Sequence, residues 1–523
     1  MTAAFPLINN IEGLKTGSFD VLVVGGGIYG AWTAYDAALR GLKVALIEKK
    51  DWGCGTSQSS SKLIHGGLRY LEHYEFKLVS HALVERRVLS DIAPHLVRPL
   101  NFMVPVWKNS RVGRMQLLAG LTLYDFLATG KQPVPRHKSF SADVVRREHP
   151  YLLSEGLKGG LRYGDCQEDD ARMTMVVVAA AQSRDVVCAS GVSADSLIVE
   201  GGRVLGVVAS NDGSAPFEIR ARYTVNAAGP WALSLTQAAL GAAAPAVKLV
   251  KGVHLVMPHI PGLEVAFLLT SPADGRVFFV IPWYDRTLVG TTEASITDAS
   301  QSVVTAEETR YLLASVARLM PGLNWTETDV IASYAGARTL QAEDAETLAA
   351  QTREFVITEP APGLVWPIGG KYTTARCDSA LVVNQLMSLL GRDPGDSLTH
   401  RYPLPGAPVG TREGSVMLGD FTSWQSEAIA GLVRRGLSQG TAGHLTRRHG
   451  TRIARIHQLL HENESWSALI LPDAAFIEAE VILAMRDEGA RTLEDVTRRR
   501  MPLTLLARPG PWQERVAELM KLA

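Results

Sequence analysis

Phe19-Asp20-Val21-Leu22-Val23-Val24-Gly25-Gly26-Gly27-Ile28-Tyr29-Gly30 decides the fold of the N-terminal half. An apolar run passes directly into G-x-G-x-x-G, with glycines at 25, 27 and 30. A helix-like stretch follows from Ala31 to Arg40, and a second apolar run, Lys43-Val44-Ala45-Leu46-Ile47, ends at Glu48. Strand, glycine turn, helix, strand and acid in that order predict a βαβ unit that holds a dinucleotide. Gly25 permits the tight turn, Gly27 lets a pyrophosphate approach the backbone at Ile28, and Gly30 lets helix and strand pack closely. Free N–H groups and the dipole at the helix start favour the anion. Glu48 lies 18 residues after Gly30, where its carboxylate can accept from a ribose 2′-hydroxyl and would repel a 2′-phosphate.

At 523 residues the chain is long enough for two or three domains with an ample core. It is 46% hydrophobic and 20% charged, ordinary for a globular protein. Lysine plus arginine and aspartate plus glutamate balance at 53 each, which argues against nucleic acid as a partner. Cys54, Cys166, Cys188 and Cys377 form no C-x-x-C pair, so neither a metal site nor a disulfide framework is expected. Met1-Thr2-Ala3-Ala4-Phe5-Pro6 lacks the pattern of a secretory signal. No window approaches about 20 uninterrupted apolar residues, so no spanning helix is expected. Met115 to Leu127 is an apolar, helical pattern preceded by Lys108, Arg111 and Arg114. It suits a membrane interface or an ordinary core helix.

Beyond the first unit the pattern is not a regular βαβ series. Helices are expected over Phe76–Ile92, Arg172–Ser183, Glu307–Met320 and Ala375–Leu390. Paired strands are expected at Val204–Ala209 and Phe217–Val225, around Asn211-Asp212-Gly213-Ser214, and a hairpin around Asp285-Arg286. Tyr402-Pro403-Leu404-Pro405-Gly406-Ala407-Pro408 reads as a linker. After it come helical patterns, including Ala474–Asp487 and Thr492–Arg500. The expected class is α/β (α+β): a Rossmann-like FAD-binding domain interleaved with a mixed β-sheet substrate domain, plus a C-terminal helical domain. The oxidoreductase core spans 1–400, with cofactor parts at about 19–75, 150–245 and 335–400 and substrate parts at about 76–149 and 246–334. The helical domain is 401–523. A dinucleotide unit interrupted by mixed β-structure favours FAD over NAD.

The most specific stretch is Gly55-Thr56-Ser57-Gln58-Ser59-Ser60-Ser61-Lys62-Leu63-Ile64-His65-Gly66-Gly67-Leu68-Arg69-Tyr70-Leu71. It closely resembles the FAD-dependent, quinone-linked sn-glycerol-3-phosphate dehydrogenases, where the segment reads nearly T-S-S-x-S-S-K-L-I-H-G-G-L-R-Y-L-E-H. Further along, Asp165-Cys166 with Asp169-Asp170-Ala171-Arg172 resembles D-C-x-x-D-D-A-R, and Asn226 to Trp231 resembles N-A-x-G-P-W. Lys251-Gly252-Val253-His254 resembles K-G-x-H, Val280–Trp283 and Gly290-Thr291-Thr292 are similar to family segments, and Gly369 to Arg376 resembles G-G-K-x-T-T-x-R. Ala479-Glu480-Val481 and Arg498-Arg499-Arg500 resemble the helical C-terminal domain. Tyr29, Ala337, Thr339, Tyr372 and Ala375 depart from the family pattern and leave the exact substrate open.

The resemblance implies non-covalent FAD. It implies oxidation of sn-glycerol 3-phosphate to dihydroxyacetone phosphate, with hydride to flavin N5 and electrons to a quinone. The alternative is a paralogous flavoenzyme of another small anionic hydroxy or amino compound. Cofactor contacts are expected from Gly25, Gly27, Ile28, Gly30 and Glu48 in the first unit and from Thr56, Ser57, Ser61, Lys62, His65, Gly66 and Gly67 after it. Gly229, Gly370, Lys371 and Thr373 complete them. Arg69, Arg276, Arg338, Lys371 and Arg376, with Tyr70, are candidates for the substrate phosphate, since planar guanidinium groups suit phosphate oxygens. Arg338 is also placed at the reacting centre, with His254 as proton acceptor, because a histidine can titrate near working pH. A cytoplasmic protein peripheral to the inner face of the membrane is expected, and a homodimer stays open.

Overall fold

The computed structural model describes residues 7–211, 213–241, 244–342, 355–412 and 415–523. The first six residues and Asp212 of the expected turn lie outside the described residues. The opening stretch forms the strand Phe19–Val24, the helix Ile28–Leu39 and the strand Val44–Glu48. The two strands are parallel neighbours, and Phe217–Asn226 joins Phe19–Val24 on its other side, also parallel. In order, the main path of this sheet is Val356–Ala361, Leu364–Ile368, Phe217–Asn226, Phe19–Val24, Val44–Glu48 and Val187–Ser190. Its central strands read as unbroken apolar runs because both faces are covered: Val21, Leu22 and Val23 have no exposed surface. The helix Ile28–Leu39 packs against Asp170–Gln182 and Ala375–Leu389. Val192–Glu200 and Arg203–Asn211 branch off as antiparallel partners leading to Phe217–Asn226.

Among the described residues a second sheet has ten strands. Its long antiparallel pair, Val247–Pro258 and Ala332–Gln341, sets Val250 opposite Arg338, Gly252 opposite Gly336 and His254 opposite Tyr334. Strand alternation puts these three pairs on one face. The expected hairpin joins Val277–Trp283 to Arg286–Gly290, with its turn one residue early at Tyr284-Asp285. Both turn residues are left-handed, at φ 45° and 54°, the turn that matches strand twist. Leu63–Ile64 and Leu157–Gln167 also belong to this sheet, so the stretch 150–245 is shared between the two sheets.

The C-terminal region carries the helices Phe421–Arg434, Gln439–His449, Ile453–Glu462, Glu478–Arg486 and Pro511–Leu522. Ala474–Ile477, expected within a helix, is instead a strand paired with Leu469–Leu471, and the helix starts at Glu478. Phe476 and Ile477 are fully buried there, an environment that suits aromatic and β-branched residues in a strand. Buried charge pairs join this region to the core: Arg172 to Glu488 at 2.6 Å, and Arg499 and Arg500 to Asp51. Among the described residues no helix is long and apolar enough to cross a membrane. The helix Arg114–Leu127 has one side in the core and the other in solvent. Leu117, Leu121 and Tyr124 face the core, whereas Met115 and Phe126 are 76% and 80% exposed.

Candidate active site

A cavity of about 850 Å³ runs from the carboxyl ends of the first sheet to the face of the second. That is where open α/β sheets hold ligands. At one end Gly25, Gly27 and Ile28 line it, with Glu48 beyond them. Gly30 lies beneath: a Cβ on it would come 1.9 Å from the carbonyl oxygen of Gly25, so only glycine lets the helix close on the strand. The Glu48 carboxylate accepts from the backbone N–H of Gly26 at 2.7 Å and of Lys50 at 2.9 Å, which fixes it at the strand end. Burial raises its pKa against those two bonds. Ser57 accepts from the N–H of Ile28 at 2.9 Å, bringing the serine loop over the helix start. Glycine-lined backbone, a helix N-terminus and a fixed carboxylate fit a dinucleotide with a free ribose 2′-hydroxyl.

At the other end the lining includes His65, Gly67, Gly229, Gly370 and Thr373. The N–H of His65 donates to Thr373 Oγ1 at 3.2 Å, tying the two segments together. Thr56 Oγ1 donates to the carbonyl of Ala337 at 2.5 Å, joining the serine loop to the strand that carries Arg338. Here the cations converge. Arg69, from the 3-10 helix Leu68–His73, Arg276, ahead of its strand, and Arg338 all reach the lining, as do Lys371 and Tyr70. Lys371 Nζ stands 3.5 Å over the Tyr70 ring. Gly252 makes room for Arg338, since a Cβ there would meet Arg338 Nη2 at 2.9 Å.

Five expected contacts turn out to face elsewhere or to stand behind the lining. Lys62 is buried against Asp170, with both carboxylate oxygens 2.7 Å from Nζ, and holds the serine loop from behind. Arg376 is clamped by Glu85 at 2.8 and 2.5 Å and by Thr399 at 2.9 Å, outside the cavity lining. The N–H of Gly66 donates to Tyr124 Oη at 2.9 Å, away from the cavity. Gly30 serves packing, as described. His254 is 1% exposed and meets the cavity through Ser61, whose Oγ is 2.9 Å from Nε2. Its ring stacks on Tyr334 with centroids 5.0 Å apart. Burial first, then Lys62 and Arg338, lowers its pKa to about 3.

Sequence reasoning missed Glu293, Phe279 and Trp231, all in the lining. Glu293 directly follows the Gly290-Thr291-Thr292 segment, and a carboxylate there was the available signal. Its Oε1 is 3.7 Å from Arg338 and 4.0 Å from Arg69, and its backbone carbonyl accepts from Arg276 at 3.0 Å.

Residues 20–374 match the family model described as FAD dependent oxidoreductase, and residues 397–522 match the C-terminal domain of alpha-glycerophosphate oxidase. Glycerol-3-phosphate dehydrogenase 2 of Mycobacterium tuberculosis is 36% identical over 496 residues, covering 94% of this chain and 82% of that protein. The glycerol-3-phosphate dehydrogenase of Pseudomonas aeruginosa is 36% identical over 505 residues, covering 94% and 93%. The crystal structure of the Bacillus halodurans glycerol-3-phosphate dehydrogenase complexed with FAD superposes with a TM-score of 0.77 at 27% identity, over 98% of this chain and 93% of that one.

Proposed function

This chain belongs to the FAD-dependent glycerol-3-phosphate dehydrogenases, and from that membership we propose that it oxidises sn-glycerol 3-phosphate to dihydroxyacetone phosphate and delivers the electrons to a quinone. The observation that carries the reading is the convergence of Arg69, Arg338 and Lys371 in one cavity with the dinucleotide turn. FAD would be held by the turn at Gly25 and Gly27 with Glu48 and would supply the two-electron sink for the hydride. The chain's own residues bind and orient the substrate and move its proton. Arg338, Arg69 and Lys371 take the phosphate dianion, and guanidinium groups can engage two of its oxygens at once. Tyr70, under Lys371, orients that ammonium. The substrate hydroxyl gives its proton to Ser61 Oγ as Ser61 gives its own to His254 Nε2, along the 2.9 Å contact between them. A phosphate beside Arg338 offsets one of the charges that hold His254 neutral, so substrate binding itself makes the histidine a better acceptor.

The exposed side of Arg114–Leu127 bears Met115, Leu118, Ala119 and Phe126, with Arg111 and Arg114 beside it, and fits the interface of an anionic bilayer where quinone resides. Anaerobic mixing of the holoprotein with glycerol 3-phosphate, glycerol, lactate and glycine tests the reading. Glycerol 3-phosphate should bleach the flavin fastest, with glycerol far behind. Faster bleaching by an amino or unphosphorylated hydroxy acid would refute it.

A further inference from the structure

The arginine–carboxylate pairs around the cavity differ from those sealed in the core. Arg376–Glu85 and Arg86–Asp165 are locked, with contacts of 2.5 to 2.8 Å between side chains that are at most 9% exposed. Arg69 and Arg338 share Glu293 more loosely, at 4.0 and 3.7 Å, beyond hydrogen-bond distance. Their side chains are 24% and 31% exposed within the cavity, against 9% for Glu293. The backbone of Glu293 is placed by the sheet: its carbonyl accepts from Arg276, and it sits between Arg286–Gly290 and Ala294–Ile296, both paired to Val247–Pro258. A carboxylate approached by two guanidinium groups presents to them the charge and the oxygen geometry that a phosphate would.

We infer that Glu293 is a specificity-determining residue, the built-in counter-ion of the anion site, which a substrate phosphate must displace from Arg69 and Arg338. The carboxylate keeps the two arginines directed into the cavity. It also raises the threshold for entry: an anion of single charge gains little by replacing a carboxylate, whereas a phosphate dianion outbids it electrostatically. Neutral polyols, with no charge to offer the guanidinium groups, leave the pairs intact. The site thereby selects for doubly charged substrates by opposing weaker ones.

This inference rests on the phosphate site proposed above, and its test separates the two. Inorganic phosphate is titrated into Glu293→Gln, Glu293→Asp and Arg338→Ala holoenzymes, both as an inhibitor competing with glycerol 3-phosphate and through its perturbation of flavin absorbance. Removing the competing charge in Glu293→Gln should tighten phosphate by about fivefold or more, the repulsion of two unit charges roughly 4 Å apart in water-like surroundings. KM for glycerol 3-phosphate should fall in parallel, with kcat nearly unchanged. Glu293→Asp, whose carboxylate is withdrawn by one methylene, should fall between the two, and it decides the matter alone if the glutamine variant does not fold. Unchanged or weaker phosphate binding in the Glu293 variants would overturn the inference. A collapse of kcat with phosphate binding unaltered would also overturn it, making Glu293 a proton acceptor instead. Arg338→Ala should weaken phosphate; if it does not, the phosphate site itself is misplaced, whatever Glu293 does.

Discussion

The two ends of the cavity are built by different means. At the nucleotide end the groups that matter are mostly backbone: the turn at Gly25 and Gly27, the helix start at Ile28, and one carboxylate, Glu48, held by two N–H groups. They lie within thirty residues of one another, and regular structure alone fixes where they point. At the substrate end the groups are side chains from five separate segments, Arg69, Arg276, Glu293, Arg338 and Lys371. There the same residue type does opposite things: Arg338 looks into the cavity, while Arg376, five residues beyond Lys371, is sealed against Glu85. A backbone site is rigid and intolerant of added atoms; a side-chain site is adjustable and sensitive to charge.

That contrast can be broken or sharpened by substitution. The largest effect is expected at the backbone site. Gly27→Val adds a Cβ that would stand 3.1 Å from Ser57 Oγ, with two methyl groups beyond it, and bound FAD in the purified protein should drop by about tenfold or more, measured as flavin released on denaturation. Full retention of FAD would mean that the nucleotide does not pass this turn.

Arg376→Ala comes next. It leaves Glu85, whose pKa burial already raises, without its partner, and should cost about 3–5 kcal/mol in denaturant unfolding of the holoprotein. Phosphate inhibition of the folded fraction should be unchanged; a weakened inhibition would return Arg376 to the substrate site. Arg338→Ala and Lys371→Ala should do the reverse. Stability and flavin spectrum should hold, while kcat/KM for glycerol 3-phosphate falls by about tenfold or more, since a charge-assisted contact is worth roughly 1.5–3 kcal/mol. Wild-type kinetics in both would remove them from the site.

Acid titration probes a smaller term. His254, His95 and His449 are each held at about 3, burial being the first cause, against an ordinary value of 6.5. Below 6.5 the unfolded chain takes up protons that the folded protein refuses, so their contribution is present above pH 6.5 and is lost between pH 6.5 and 3 as pH falls. Each contributes a slope of up to about 1.4 kcal/mol per pH unit. His254→Gln should flatten the fall by about one proton's worth, and an unchanged slope would show that His254 protonates in the fold. Smallest in stability is Met115→Asp with Phe126→Asp, on the exposed side of their helix. Unfolding should shift by no more than about 0.5 kcal/mol, yet sedimentation with anionic vesicles should be lost. Leu121→Asp, with its side chain fully buried, should unfold the domain instead. Undiminished sedimentation of the double variant would place lipid contact elsewhere.

The sequence by itself determined the nucleotide end. Strand, turn and helix are local structures and their glycines act through backbone within a few residues; Phe19–Val24 falls where the pattern put it, and the helix expected from Ala31 starts three residues earlier, at Ile28. It also determined the motifs and the family. Only tertiary structure decided which charged residues in those motifs face the cavity. Lys62 and Arg376 stand in motifs as specific as that of Lys371, but whether a long side chain meets a ligand or a buried carboxylate depends on Asp170 and Glu85, which are 108 and 291 residues away. Likewise Glu293 becomes part of an anion site because strand register brings Arg338 to Val250 on the neighbouring strand and the 3-10 helix brings Arg69 alongside. Periodicity along a chain reports what a segment forms; the partner a charge finds across the fold is set by packing between segments that share no local signal.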